Sequence, residues 1–272
     1  MITVKPYGGL GNRIRVLYST LALNTRLGDS IKIIWDCGTE LNCPFEELFL
    51  IPQNCTVKNI HQGVYRDITR FALKRMRLKK FREYFYDFIL YGTEVREYVD
   101  NQNQFVEDCK NRSVYIETCH SFYWQEKSET HLQPTPFIRE EAKNIYKNFS
   151  SNTYGIHIRM KDKFQTKEIS HPSAFKKLMR DMIEADDSAQ FFLSTDSKKV
   201  ENDFVKEFQE KVITSGEKVL NRNSPAGIKS AWVDILCLSK TKKIYGTYGS
   251  SFSSVPGLFT GVSCESVVAE NS

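Results

Sequence analysis

The chain has 272 residues, 40% hydrophobic and 26% charged, with no low-complexity tract or internal repeat; this excludes disordered and fibrous classes and leaves room for two domains. A formal charge of +5 suits an anionic ligand but falls short of a one-sided basic footprint, so no nucleic-acid partner is expected. Seven scattered cysteines without a C-x-x-C pair disfavour zinc and a disulfide framework, and the absence of a signal-peptide pattern or long apolar run points to a cytoplasmic protein.

The first predicted element is the strand ITVKPY (Ile2 to Tyr7). The loop GGLGN (Gly8 to Asn12) opens a helix, NRIRVLYSTLALNTRLG, in which Ile14, Leu17, Leu21 and Ala22 share a stripe, and IKIIW (Ile31 to Trp35) completes a βαβ unit. CTVKNI (Cys55 to Ile60) reads as another strand. The basic stretch Arg66 to Phe85 has two readings. It is a peripheral contact with a membrane or anionic glycan, or a solvated helix whose Ile68, Phe71, Ala72, Leu78 and Phe85 pack inward. SVYIET (Ser113 to Thr118) is a strand, Pro134 and Pro136 punctuate a polar stretch, and the helical FIREEAKNIYKNF ends at NFSSNT. The domain boundary is placed here, giving an N-terminal domain 1–136 and a C-terminal domain 137–272. The second half alternates more cleanly: YGIHIR (Tyr154 to Arg159), a helix from about Pro172, QFFLST (Gln190 to Thr195) and a helix from about Ser197. A helix over Ala226 to Ser239, the strand KKIYG (Lys242 to Gly246) and the turn TYGSSFS follow. The alternation implies an α/β protein with mainly parallel sheets, and two such units in series imply a cleft between them.

Open α/β sheets take ligands beyond the carboxyl ends of their strands, and polar residues gather after these runs. GGLGN offers backbone N–H groups and a helix N-terminus to an anion, with Gly9 and Gly11 permitting close approach. The dinucleotide fingerprint would need a third glycine where Ile14 stands, and a P-loop would need G-K-[ST]. In GIHIRMKD (Gly155 to Asp162), His157 and Arg159 share one side of a strand. Arg159 can fork two phosphate oxygens, His157 can donate beside it, and Asp162 can orient the guanidinium; a salt-bridged structural arginine would leave the same pattern. FFLSTDS brings Thr195 and Asp196 to a strand end, where Asp196 can meet a ribose or base amide, or cap the next helix. YGTYGSSFSS offers Ser250, Ser251 and Ser253 to phosphate.

Taken in order, GGLGNR-x-R, IIWDCGTELNCPFEELF, H-I-R-x-x-D, F-L-S-T-D, the lone Arg222, VDILCLSKTKKIYG and GSSFS resemble the fucosyltransferase-like glycosyltransferase superfamily. The resemblance spans most of the chain and leaves about Gly63 to Arg112 without a counterpart. It implies the GT-B fold of two facing Rossmann-like domains, the N-terminal one on the acceptor side and the C-terminal one binding a nucleotide-sugar. It implies transfer of a sugar, most often fucose from GDP-fucose, to a hydroxyl of a glycan or oligosaccharide acceptor, inverting and without a metal ion or other cofactor; the lack of a D-x-D agrees. By that resemblance His157, Arg159 and Asp162 belong to the diphosphate site and Thr195 and Asp196 to the ribose or base. Arg222 and Asp234 match further donor-side motifs, and Ser250, Ser251, Phe252 and Ser253 the phosphate turn. Two positions depart: Ser197 replaces a second acid and Met160 a second arginine. Asp36, Glu117 or His120 could serve as the acceptor base, or Asn12 or Arg13 could assist the leaving group while solvent takes the proton. Rival readings are a UDP-xylose-type transferase, a nicotinamide oxidoreductase, and a non-catalytic glycan- or nucleotide-binding module. The oligomeric state is left open.

Overall fold

A computed structural model describes residues 1–61, 80–124, 132–160, 169–221 and 223–269. Asp162, Arg222 and most of the basic stretch before Lys80 lie outside the described residues.

Strand β1 (Ile2–Pro6) is central to its sheet because Ile2, Thr3 and Val4 have no exposed surface, the pattern of a strand covered on both faces. With β2 (Ile31–Asp36), β3 (Cys55–Ile60), β4 (Phe88–Tyr91) and β5 (Val114–Thr118) it forms an all-parallel sheet in the order β3-β2-β1-β5-β4. Helix α1 (Leu10–Leu27) crosses back from β1 to β2, burying Ile14, Val16, Leu17 and Leu23. It stops at Gly28, whose left-handed backbone (φ 65) lets its N–H reach Asn24 O at 2.8 Å. Trp35 at the end of β2 packs edge-on against Phe45 and Phe49 and donates to Cys43 O at 2.8 Å. Helix α2 (Gln102–Cys109) buries Phe105, Val106 and Cys109, with the Phe105 ring against Phe88, Tyr98 and Phe122.

After α3 (Pro136–Tyr146), a second all-parallel sheet contains β6 (Thr153–Ile158), β7 (Gln190–Thr195), β8 (Val212–Ile213), β9 (Ile244–Thr247) and β10 (Cys264–Val267), in the order β10-β9-β6-β7-β8. Its core joins Ile156, Ile158, Phe191 and Leu193 to Phe175 and Met179 of α4 (Pro172–Ala185) and Phe204 of α5 (Lys198–Phe208). Gly155 is required for packing, since a Cβ there would stand 2.9 Å from both Leu238 Cδ2 and Thr241 Oγ1. The chain divides into two compact units, Met1–Thr135 with Asn221–Ile228, and Pro136–Leu220 with Lys229–Ser272. Helix α6 (Pro225–Leu238) therefore contributes residues to both.

Inside the second unit a buried polar cluster braces the carboxyl end of β7. Lys218 Nζ lies 3.0 Å from Asp234 and 3.4 Å from Glu201, with all three side chains at most 6% exposed. Lys198 reaches Glu201 at 2.5 Å. Asp234 also accepts from Ser194 Oγ at 2.7 Å and from Ser215 Oγ. Burial alone would lower the Lys218 pKa, but Asp234 and Glu201 hold it above its ordinary value.

No described helix is long and apolar enough to cross a membrane. None of the seven cysteines is in a disulfide. Phe85, an inward residue in one reading of the basic stretch, is instead 63% exposed and meets only the Phe81 ring among the described aromatics, at 5.3 Å.

Candidate functional site

Parallel pairing aligns the carboxyl ends of β6, β7 and β9, with Ile158 opposite Thr195 and His157 opposite Gly246. Arg159 leaves β6 with its backbone N–H on Thr247 Oγ1 at 2.9 Å, and that hydroxyl donates to His157 O at 3.2 Å. Two strand ends are thereby tied together where Arg159 emerges. Asp196 ties in the third: its Oδ1 accepts the Met160 N–H at 2.7 Å. The helix-cap role considered for Asp196 falls to its neighbour. Ser197 caps α5 by accepting from Val200 N–H, while Thr195 Oγ1 accepts the Ser197 N–H at 3.3 Å. Both departures from the family pattern thus have local work, Ser197 as a cap and Met160 packed against the core.

His157 is largely buried. Its Nδ1 shares a 2.7 Å hydrogen bond with Ser253 Oγ, and its ring stacks on Phe252 at 4.7 Å between centroids. A Cβ on Gly246 would stand 2.3 Å from that Ser253 oxygen, so the position must be glycine. Burial first, then the charges of Arg159 and Lys218, pushes the His157 pKa down to about 3. The imidazole stays neutral in the fold while the unfolded chain protonates near its ordinary value. Stability from this source is complete above about pH 6.5 and is lost as pH falls toward 3. The wild-type chain should therefore lose about 1 kcal/mol more than His157→Gln between pH 6 and pH 5. Equal slopes in urea unfolding across that interval would refute the buried neutral state.

The turn after β9 is opened by Gly249, with φ 65, and its Ser250 N–H bonds to Thr247 O at 3.2 Å. The Ser250 hydroxyl is buried and has no hydrogen-bond partner among the described residues. An unsatisfied buried hydroxyl costs about 1–3 kcal/mol, a penalty a ligand oxygen would remove. Ser251 starts the short helix α7 (Ser251–Ser254). Asp234, placed among the donor-site residues by the resemblance, is committed to the buried cluster with Lys218, Ser194 and Ser215.

In the first unit Gly8 is the residue that shapes the β1–α1 turn. Its φ is 87, and a Cβ there would lie 2.7 Å from Asn12 Nδ2. Gly9 has an ordinary backbone (φ −71) with open space above it, and Gly11 is buried in α1. Arg13 has no exposed surface. It donates from Nε to Gly8 O at 2.8 Å and from Nη1 to Asp36 O at 2.7 Å, and lies 4.7 Å over the Trp35 ring, contacts that tie the β1–α1 turn to the end of β2.

The base candidates differ in access. Asp36 is 1% exposed. Glu117 is 3.1 Å from both Lys5 and Arg82 and accepts from Tyr115 Oη at 2.8 Å; burial would raise its pKa, but these cations and the phenol hold it below the usual carboxylate range, making it a weak base. His120 Nδ1 faces Arg96 Nη2 at 3.0 Å; because a guanidinium only donates, the neutral ring carries its proton on Nε2 and has no lone pair there. Sequence reasoning missed Glu40, whose carboxylate accepts the Gly8 N–H at 2.8 Å. Its signal was available: an acid in the loop after the strand that pairs with β1.

No protein-family model and no curated protein matches the sequence. Solved structures do. The α-1,6-fucosyltransferase NodZ from Bradyrhizobium, soaked with GDP-fucose, is 17% identical with a TM-score of 0.62, covering 94% of this chain and 91% of that one. Arabidopsis thaliana FUT1 in complex with GDP is 13% identical with a TM-score of 0.61, covering 99% and 70%. POFUT1 in complex with GDP is 10% identical with a TM-score of 0.51, covering 98% and 97%. The chain has the fucosyltransferase-like GT-B fold, in which each unit carries a five-stranded all-parallel sheet.

Proposed function

We propose that the chain is a glycosyltransferase that moves fucose from GDP-fucose to a hydroxyl of a glycan acceptor, with inversion. The observation that carries this reading is that Arg159, Asp196 and a buried Ser250 hydroxyl with no hydrogen-bond partner among the described residues all stand at the carboxyl ends of the neighbouring strands β6, β7 and β9. The donor binds to the second unit: Arg159 forks the diphosphate, Ser250 donates to a phosphate oxygen, and Thr195 and Asp196 flank the ribose or base. His157 and Phe252 form the packed support of that turn. Negative charge grows on the departing diphosphate, and fixed donors that need no reorganisation stabilise it without a divalent ion. The first unit takes the acceptor, with Asn12 at its glycine turn. Fucosyltransferases of the same fold, solved with GDP or GDP-fucose, support the choice of nucleotide.

A thermal-shift panel of GDP, GDP-fucose, UDP, UDP-xylose and ADP tests this, run with and without a chelator. GDP and GDP-fucose should raise the melting temperature most, by the equivalent of about 2.7 kcal/mol at a hundredfold excess over Kd, and the chelator should not matter. A preference for UDP would substitute the xylose-type donor. No response to any nucleoside diphosphate would end the transferase reading. Release of GDP from GDP-fucose on addition of glycan separates an enzyme from a binding module.

A further inference from the structure

At the carboxyl end of the first unit's sheet, three basic side chains converge from three elements. Arg15 comes from the second turn of α1, Arg96 from the short helix Glu94–Tyr98 after β4, and His120 from the segment leaving β5. Arg15 Nε is anchored on Cys119 O at 2.7 Å, Arg96 Nη2 on His120 Nδ1 at 3.0 Å, and His120 Nε2 faces Cys119 Sγ at 3.7 Å. Neither arginine is paired with a carboxylate among the described residues, and their charges oppose one another. Burial lowers the Arg15 pKa, the Cys119 thiol counters this, and Arg96 lowers it further. His120 is depressed by burial and then by Arg96 and Arg15. Such a cluster raises the energy of the empty unit, and an anion seated in it would remove that repulsion.

The geometry points to an anion subsite formed by Arg15, Arg96 and His120, which takes the carboxylate, sulfate or phosphate of an acidic sugar in the acceptor. Arg15 donates to Cys119 O through Nε, and among the described residues its two terminal nitrogens meet no oxygen acceptor, which suits them to bidentate contact. Arg96 is exposed and supplies a second guanidinium, and the His120 ring, held at Nδ1 by Arg96, brings its Nε2–H as a third donor. All three residues belong to the first unit, whereas Arg159 and Ser250 belong to the second. The assignment of the anion to an acceptor rests on the transferase reading.

The test follows the His120 ring by NMR in the full chain, its signal identified by its loss in His120→Gln, during titration with glucuronate, glucose 6-sulfate, glucose 6-phosphate, glucose and GDP. At least one acidic sugar should shift the signal and raise the His120 pKa, because an anion favours the imidazolium. Which of the three succeeds identifies the group, and glucose should have no effect. Arg15→Gln and Arg96→Gln should each weaken that binding about tenfold, with GDP affinity unchanged. Arg96 is exposed, so its variant removes charge with little risk to folding. A His120 signal indifferent to all three acidic sugars, or affinity unchanged in Arg96→Gln, overturns the subsite. Displacement of the sugar by GDP overturns its assignment to the acceptor. Failure of the chain to bind GDP would sink the transferase reading while leaving the His120 result to stand or fall alone.

Discussion

Arg159→Ala is expected to weaken GDP binding by about a hundredfold or more while the unliganded chain keeps its fold. Two charge-assisted hydrogen bonds from one guanidinium to a diphosphate contribute about 1.5–3 kcal/mol each, and losing about 3 kcal/mol is more than a hundredfold in Kd. Alanine keeps the backbone N–H that ties the strand ends at Thr247 Oγ1, so the fold should survive the change. Arg159→Lys keeps the charge but not the fork and should recover only part of the loss. Turnover should suffer more than binding, since charge on the diphosphate is greatest as the sugar departs. The substitution also removes one of the charges that depress His157, so that pKa should rise toward its ordinary value, a check independent of any ligand. Calorimetric titration with GDP decides the main point, and an unchanged Kd would remove Arg159 from the donor site.

What could be read in the sequence follows from what burial does to composition. β1, β2, β5, β6 and β7 are runs rich in β-branched and aromatic residues because central parallel strands are covered on both faces, and each was legible to within a residue or two. Of the edge strands only β3 was read, with its observed bounds; β4 has four residues and β8 two, too short to show a period, and three of the four residues of β10 (CESV) are exposed. Helix α2 buries only Phe105, Val106 and Cys109 from a polar stretch. The excursion of Asn221–Ile228 into the first unit is also beyond a reading that cuts the chain once.

The candidate site divides in the same way. Parallel topology makes the carboxyl ends of strands predictable, so Arg159, Asp196 and Ser250 could be singled out from their positions. Which partner each polar atom takes depends on residues far away in sequence. Asp196 holds Met160, 36 residues earlier, while its neighbour Ser197 caps the helix. His157 turns to Ser253, 96 residues later. In the glycine turn the conformational need falls on Gly8, whereas spacing drew attention to Gly9 and Gly11. Lys218 carried no motif at all, yet it is the cation at the centre of the cluster that braces β7.

Lys218→Met should accordingly be the most destabilising of these substitutions. It leaves Asp234 and Glu201 as buried carboxylates that have lost a shared cation, and breaking a buried pair in this way costs about 3–5 kcal/mol. Lys198 can offset little, because its contact is with Glu201 alone and its side chain is 61% exposed. The pH dependence distinguishes lost charge from lost packing. Without the ammonium, the folded-state pKa of a buried carboxylate rises above its unfolded value. The variant's deficit should be smallest at acid pH, where the carboxylate is protonated in both states, and should grow as pH rises through the raised folded pKa. Adding Asp234→Asn, which keeps an oxygen for Ser194 while removing the charge, should recover part of the loss at pH 7. Urea unfolding of the four chains of this cycle measures the coupling, and a deficit that is flat with pH would show that Lys218 acts through packing. Because Ser194 immediately precedes Thr195 and Asp196, GDP binding should fall with stability in Lys218→Met and return with it in the double variant; restored stability without restored binding would assign the brace to the fold alone.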